Sequence, residues 1–486
     1  MFEAAELGRK VSKADYATQE SELRTQLLEA QRRLRESKLA VVVIVSGVEG
    51  AGKSEVVNLL HTWLDPRGLK THAFWDESDE ARERPFYWRF WRALPPRGTI
   101  GVMFGSWYTA PIVARAMGDS RKEAFERDLA RITEFEAMLA QDGLVLVKCW
   151  FHLGREAQKE RLQKKQRPEA LKFQRRFARR YDDFLRVSER ALRVTDTGPA
   201  PWHVIEANCP RWRNLATGRA LLQALTARLD APAPAACPPA PAAVAQSGPT
   251  ILDAVPQKEA LPEARYEKAL AKHQGRLGEL AWEARRQGRS SVIVFEGSDA
   301  AGKGGAIRRI TAALDARLFQ VISVAAPTDE ERAQHYLWRF WRHLPRAGYV
   351  TIYDRSWYGR VLVERVEGFA REDEWRRAYQ EINDFEEQLV EGGIVVCKLW
   401  LHITPEEQLR RFQEREATPW KQHKITAEDW RNREKAEAYS AAVNEMVART
   451  STAPAPWTLV PANDKRAARL EVVRTVADRL EAALEA

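Results

Sequence analysis

The amino-acid sequence is written twice, and any fold it adopts has to be built from two copies of one domain. Gly47-Val-Glu-Gly-Ala-Gly-Lys53 returns as Gly297-Ser-Asp-Ala-Ala-Gly-Lys303. Trp88-Arg-Phe-Trp-Arg92 returns as Trp338-Arg-Phe-Trp-Arg342, each followed by x-Leu-Pro. Ser106-Trp-Tyr108 returns as Ser356-Trp-Tyr358, and Lys148-x-Trp150-x-His152 as Lys398-x-Trp400-x-His402. All four pairs share an offset of 250 residues (297−47, 338−88, 356−106, 398−148). One offset over four motifs describes two homologous domains rather than an array of short repeats. Residues 231–250 are rich in Pro and Ala with almost no charge, the composition of a semi-rigid linker. The expected organisation is a first domain over 1–230, a linker over 231–250 and a second domain over 251–486.

Each copy opens with a helical stretch, residues 14–37 and 262–287. A β-branched run follows, Ala40–Ser46 and Ser291–Glu296, then a Gly-rich turn. Further apolar runs pair up as Thr99–Phe104 with Val350–Asp354, Leu144–Trp150 with Ile394–Leu401, and Trp202–Ala207 with Trp457–Ala462. Short buried strands alternating with helices predict an α/β fold with a parallel sheet in each domain.

The chain carries a formal net charge of +9, which suits a polyanionic partner or an Arg-rich genome bias. No apolar run approaches the ~20 residues of a membrane-spanning helix, and the N-terminus lacks the layout of a signal peptide. Cys149, Cys209, Cys237 and Cys397 show neither close pairing nor metal-ligand spacing. Reduced thiols and a cytoplasmic location, with no membrane partner, are expected.

Gly47-x-x-x-x-Gly52-Lys53-Ser54 is a full phosphate loop between a strand and a helix. The second copy ends Lys303-Gly304-Gly305 and lacks the Ser or Thr that usually reaches Mg²⁺. Its loop, at Gly297, Ala300, Ala301, Gly302, Lys303 and Gly304, can still cradle phosphates with backbone N–H groups. It also carries Asp299, a carboxylate that makes sense among phosphates only with a metal or a proton between them. Asp354 ends a strand of the same sheet, the expected place for a Mg²⁺ partner, and Arg355 beside it can clamp an oxyanion. The first copy has Phe104 and Gly105 there and keeps only Glu49, so chemistry is expected in the second copy.

Arg410, Arg411, Arg415, Lys421 and Lys424 follow the strand Ile394–Leu401, as a phosphate-covering lid or as a solvated helix face interleaved with Glu406, Glu407, Glu414 and Glu416. In the first copy a denser run includes Lys159, Lys164, Lys165, Arg175, Arg176, Arg179 and Arg180, able to tether a polyanion without chemistry. The Trp-Arg-Phe-Trp-Arg segments read as core or interdomain packing, and His152 and His402 as structural histidines.

With these residues in view the chain resembles the polyphosphate kinase 2 family. Gly297-Ser-Asp-Ala-Ala-Gly-Lys-Gly-Gly305, Tyr336-Leu-Trp-Arg-Phe-Trp-Arg-His-Leu-Pro345 and Tyr353-Asp-Arg-Ser-Trp-Tyr-Gly-Arg-Val-Leu-Val-Glu364 carry the resemblance. Trp420-Lys421, Ala455-Pro-Trp457 and Asn463-Asp-Lys-Arg466 are similar to the family's lid and closing segments. The tandem layout and Gly359 are similar to the branch that phosphorylates AMP. The resemblance implies tandem three-layer α/β/α kinase-like domains, Mg²⁺ (with Mn²⁺ as a substitute) and polyphosphate with AMP or ADP as substrates. It assigns Asp299 and Asp354 to the metal, Lys303 to the phosphate cradle, Arg355 to a phosphate clamp, and Arg415 with Lys421 to the lid. A homo-oligomer without nucleic acid is expected.

The function expected is Mg²⁺-dependent transfer of the terminal phosphoryl group of polyphosphate to AMP. The alternatives are a polyphosphate-dependent nucleoside diphosphate kinase, an ATP-dependent small-molecule kinase and a non-catalytic polyanion-binding protein.

Overall fold

The computed structural model describes residues 1–74, 77–164, 180–231, 250–257, 259–425 and 427–485, with the backbone alone at 164, 421, 423, 424, 427 and 428. By compactness the chain divides into unit 1 (Met1–Glu77, Arg89–Pro234 and Thr328–His335) and unit 2 (Ser78–Trp88, Ala235–Pro327 and Tyr336–Ala486). A division at the linker alone does not contain this exchange of two short segments. Most of the linker, residues 232–249, lies outside the described residues.

Unit 1 is built on β1 (Ala40–Gly47), β2 (Leu69–Ala73), β3 (Ile100–Phe104), β4 (Leu144–His152) and β5 (Trp202–Glu206), in the order β2-β3-β1-β4-β5. Unit 2 repeats this with β6 (Ser290–Gly297), β7 (Phe319–Ser323), β8 (Val350–Asp354), β9 (Ile394–His402) and β10 (Trp457–Pro461), in the order β7-β8-β6-β9-β10. Every pairing is parallel. The offset of 250 holds from β1/β6 through β4/β9 and becomes 255 at β5/β10 (457−202). Five extra residues therefore sit between β9 and β10, where the lid is expected.

The central strands follow from their side chains. β1 runs Val-Val-Val-Ile-Val and is buried on both faces, as the middle strand of a covered parallel sheet must be. All nine residues of β4 are buried. β2 and β7 are not among the strands expected from the sequence. These are edge strands, with Lys70 and Gln320 exposed, and carry too few apolar residues to announce themselves. In unit 2, Ile293 and Phe295 pack under the helices Glu263–Gln287, Lys303–Thr311 and Lys465–Glu485. Val292 and Val294 point to the opposite face, on the side of the helices Glu372–Glu391 and Ala436–Thr450. The Trp-Arg-Phe-Trp-Arg segments are core: Phe90, Trp91, Phe340 and Trp341 are all buried.

Two of the repeated motifs prove to be one buried network. Lys398 Nζ donates to Glu386 Oε2 (2.7 Å), the Tyr358 hydroxyl (2.8 Å) and the Thr450 carbonyl (2.6 Å). Glu386 Oε1 accepts from Trp357 Nε1 (3.0 Å) and Tyr358 OH (2.7 Å). Unit 1 repeats it with Lys148, Glu136, Trp107, Tyr108 and the Thr195 carbonyl. Burial pushes the Glu386 carboxyl up and the Lys398 ammonium down, and their ion pair opposes both shifts. Removing either partner strands the other charge, which costs about 3–5 kcal/mol in comparable pairs. The network fixes the turn after β3 and β8, and in unit 2 that turn carries Arg355.

Candidate active site

In unit 2 the turn from β6 to the helix Lys303–Thr311 closes on Gly302, whose φ of 106° suits a residue without Cβ. Lys303 Nζ folds back onto the carbonyls of Gly297 (2.7 Å) and Ser298 (3.4 Å). Gly304 keeps the start of the helix bare, since a Cβ there would meet nothing within 4 Å, while a Cβ on Gly305 would lie 3.2 Å from Arg469 Nη2. The absent Ser or Thr thus coincides with an open floor where the helix N-terminus faces the cleft.

Asp299 sits at the crossing point of the site. Its Oδ1 accepts from Arg355 Nη2 (3.3 Å) and its Oδ2 from Asn432 Nδ2 (2.9 Å). Arg355 stands at φ 66°, a left-handed conformation that costs a side chain with a Cβ about 1–2 kcal/mol. Asp354 ends β8 beside it, and its carboxylate has no hydrogen-bond or ion-pair partner among the described residues. Glu296, which the sequence reading passed over, is buried at the end of β6 and accepts from Ser356 Oγ (2.8 Å). Burial raises its pKa, against the pull of that hydrogen bond and of Lys303 and Arg355. The repeat itself held the signal, since Ser46 stands at this place in the first copy.

Two unlike cavities meet here. A cleft of about 700 Å³ runs along Ala300–Gly305, with Arg308, Arg415, Lys465 and Arg469 on its walls. A narrower pocket of about 220 Å³ is walled by Leu362, Val363, Trp400, Tyr439 and Val443, with His402 at its side. Asp299, Lys303, Arg355 and Asn432 line both. Gly297 lines the pocket and not the cleft. Arg415 lines the cleft, while the side chain of Lys421 lies outside the described residues.

Arg411 differs from its expected place in a lid. It is buried, and its guanidinium donates to the carbonyls of Ala300 (2.9 Å), Ala301 (3.0 Å), Ala462 (2.7 Å) and Asn463 (2.8 Å). It is a staple that ties the phosphate loop to the turn after β10. Arg161 does the same in unit 1, on Gly50, Ala207 and Asn208. Arg466 pairs with Glu263 (2.7 Å), whereas its neighbour Lys465 lines the cleft. Arg308, Asn432 and Arg469 were missed because no local pattern marks them; the fold alone brings them together. Among the described residues no group of three or more His, Cys, Asp or Glu could hold a metal ion; the acids lining the cleft are Asp299, Asp354, Glu414 and Asp429.

Unit 1 keeps the frame and loses the charges. Glu49 is one methylene longer than Asp299 and turns onto its own loop lysine, Lys53 (3.0 Å). Glu55 stands where unit 2 has Gly305, and the buried Arg213 pairs with it (2.9 Å) and donates to the Ala51 carbonyl (3.3 Å). A Cβ on Gly52 would lie 1.7 Å from Arg213 Nη1, so this arginine occupies the face that is open in unit 2. Of the basic run, residues 165–179 and the Lys164 side chain lie outside the described residues; Arg180 donates to the carbonyls of Ala116 and Met117. His152 is structural, with Nε2 2.7 Å from Glu6 Oε1 and its ring stacked on Phe2.

The chain is similar to known proteins over nearly its whole length. The model of the family described as Polyphosphate kinase 2 matches residues 10–231 and again 260–486. The chain is similar to the polyphosphate:AMP phosphotransferase of Pseudomonas aeruginosa, 48% identical over 491 residues and 99% of each chain. It is 38% identical over 479 residues to that of Acinetobacter johnsonii, covering 95% of this chain and 96% of the relative. A crystal structure of a polyphosphate kinase 2 candidate from Pseudomonas aeruginosa PA01 superposes with a TM-score of 0.91 at 48% identity, covering 100% of this chain and 99% of the other.

Proposed function

Because the chain belongs to the polyphosphate kinase 2 family, we propose that it transfers the terminal phosphoryl group of inorganic polyphosphate to AMP, giving ADP and a chain one phosphate shorter, at the site of unit 2. The observation that carries this reading is the meeting of the two cavities at Asp299, Lys303, Arg355 and Asn432. The basic cleft suits a linear polyanion, the donor. The apolar pocket suits a nucleoside whose phosphate points at the junction.

An AMP phosphate oxygen attacks the terminal phosphorus, and the bridging oxygen leaves with the shortened chain. The nucleophile is already an anion, so the protein needs no strong base. Its work is orientation and charge neutralisation. Lys303, tethered only to backbone carbonyls among the described residues, can exchange them for phosphate oxygens. Arg355 is held over the junction by its bond to Asp299. The two carboxylates fit a hard cation: Asp299 and Asp354 would hold Mg²⁺ or Mn²⁺, a usual protein share of a site that also takes phosphate. Such an ion supplies charge neutralisation at the phosphoryl oxygens.

A cytoplasmic setting accords with the buried thiols of Cys149 and Cys397, which burial pushes up to about 12. No helix among the described residues is long and apolar enough to cross a membrane.

The test is to incubate the protein with polyphosphate and Mg²⁺ and each of AMP, GMP, ADP and GDP, and follow the products by chromatography. ADP accumulates from AMP, stops with EDTA and returns with Mg²⁺ or Mn²⁺. No product from AMP sinks the reading, and full activity in excess chelator removes the metal role of both carboxylates.

A further inference from the structure

Unit 1 has a cavity of about 250 Å³ at the place where unit 2 has its 220 Å³ pocket. The walls correspond through the offset of 250: Ile112 with Leu362, Val113 with Val363, Trp150 with Trp400, Lys53 with Lys303. Of the differences between the two, Ser46 for Glu296 and Gly105 for Arg355 remove atoms, and Phe104 for Asp354 adds an apolar wall. The cleft beside the phosphate loop has been closed by Arg213 and Glu55, yet the pocket has stayed open.

We propose that this pocket binds an uncharged purine nucleoside and holds it without reaction. Of the charges at the junction in unit 2, Arg355 is replaced by Gly105, and Lys53 is already neutralised by Glu49. What remains is an aromatic and aliphatic chamber that includes Phe74, Phe104 and Phe184. Trp150 walls this pocket as Trp400 walls the other, and each carries an Nε1 without a hydrogen-bond partner among the described residues, so this N–H does not set the two pockets apart. A flat heterocycle gains from stacking in such walls, whereas a phosphate would meet the Glu49 carboxylate with no arginine among the described lining residues to offset it. The choice of nucleoside rests on reading the unit 2 pocket as the acceptor site.

The test uses the full chain and adenosine, by calorimetry without polyphosphate. Wild-type protein binds two equivalents. Val113→Trp, which fills the unit 1 pocket, binds one and keeps its turnover of AMP. Val363→Trp, which fills the unit 2 pocket, also binds one and raises KM for AMP. In Val363→Trp, AMP binds the remaining site no more tightly than adenosine; a tenfold preference for AMP overturns the uncharged-ligand assignment. One equivalent in wild type, lost in Val363→Trp and kept in Val113→Trp, overturns the unit 1 site and leaves the acceptor reading standing. An unchanged KM in Val363→Trp overturns the acceptor reading itself. A photolabel, 8-azidoadenosine on wild-type protein, covers the case of a variant that does not fold. Adducts are expected in residues 104–113 or at Trp150 as well as in unit 2, and labelling of unit 2 alone overturns the inference.

Discussion

At position 299 the carboxylate is one methylene shorter than at position 49, and the two acids turn opposite ways. Glu49 reaches back to Lys53 and cancels the charge that a phosphate loop offers its ligand, while Asp299 turns out to Arg355 and Asn432. The residue after the third strand shows the same division. Both units bend into the left-handed region there, unit 1 with Gly105 at φ 79° and unit 2 with Arg355 at φ 66°. Unit 2 keeps a strained arginine where its own sister copy uses glycine, the pattern of a side chain retained for function. Arg355→Gly is predicted to relieve about 1–2 kcal/mol of strain and to lose about 0.4–1 kcal/mol through a freer unfolded chain. The net gain of about 0.5–1 kcal/mol raises Tm by about 1–4 °C. Phosphoryl transfer falls at least ~100-fold in the same variant. Calorimetry and the AMP assay check the two halves, and a variant that is both less stable and fully active contradicts them. The reverse change does not revive unit 1. A Cβ at Gly105 would lie 2.4 Å from the Phe74 carbonyl oxygen. The double variant Phe104→Asp, Gly105→Arg in a Lys303→Ala background is predicted to melt earlier than its parent and to gain no activity in the AMP assay.

Among the elements, the helix Pro405–Ala417 does more than cover phosphates. Its Arg411 clamps four carbonyls, and Glu407 orients that guanidinium (2.6 Å). Arg410 first and Arg411 second, against the opposing effect of burial, hold the Glu407 carboxyl down at about 2. Because the folded pKa is depressed, the contribution of Glu407 is full above the unfolded value near 4.5. It fades as pH falls below that and is lost through about 2. Thermal melts of wild type and Glu407→Gln should therefore differ at pH 7 and converge toward pH 2–3; a gap that widens in acid contradicts the staple. Legibility in the sequence followed the same physics. β1, β3, β4, β5 and their counterparts were readable because buried parallel strands are apolar runs. β2 and β7, at the sheet edges, were not. Asp299, Lys303, Asp354 and Arg355 were readable because one copy could be checked against the other. Arg411 looked like a lid residue because a basic side chain in a charged helix gives no sign of burial. Ser356-Trp-Tyr358 and Lys398 stood out in the sequence only as repeated motifs, and the fold joins them in one buried network.

At the scale of the whole molecule, duplication has produced two sheets of the same order with different uses of the space at their strand ends. Unit 2 keeps two cavities and the charged residues where they meet. Unit 1 keeps the apolar cavity, while Arg213 and Glu55 fill the phosphate side. That filling weighs against its phosphate loop as a polyanion tether, and residues 165–179 of the basic run expected to serve as one, Arg175, Arg176 and Arg179 among them, lie outside the described residues. The central claim is that one lysine of the pair does chemistry and the other does not. The direct measurement is turnover of AMP with polyphosphate in Lys303→Ala and Lys53→Ala, each shown to be folded. Lys303→Ala is predicted to fall by ~10³-fold or more, the scale of a lost electrostatic contact to a transferring phosphoryl group. Lys53→Ala keeps at least about a tenth of the activity, since its charge is already spent on Glu49. Equal loss in the two variants would contradict the assignment of the reaction to unit 2.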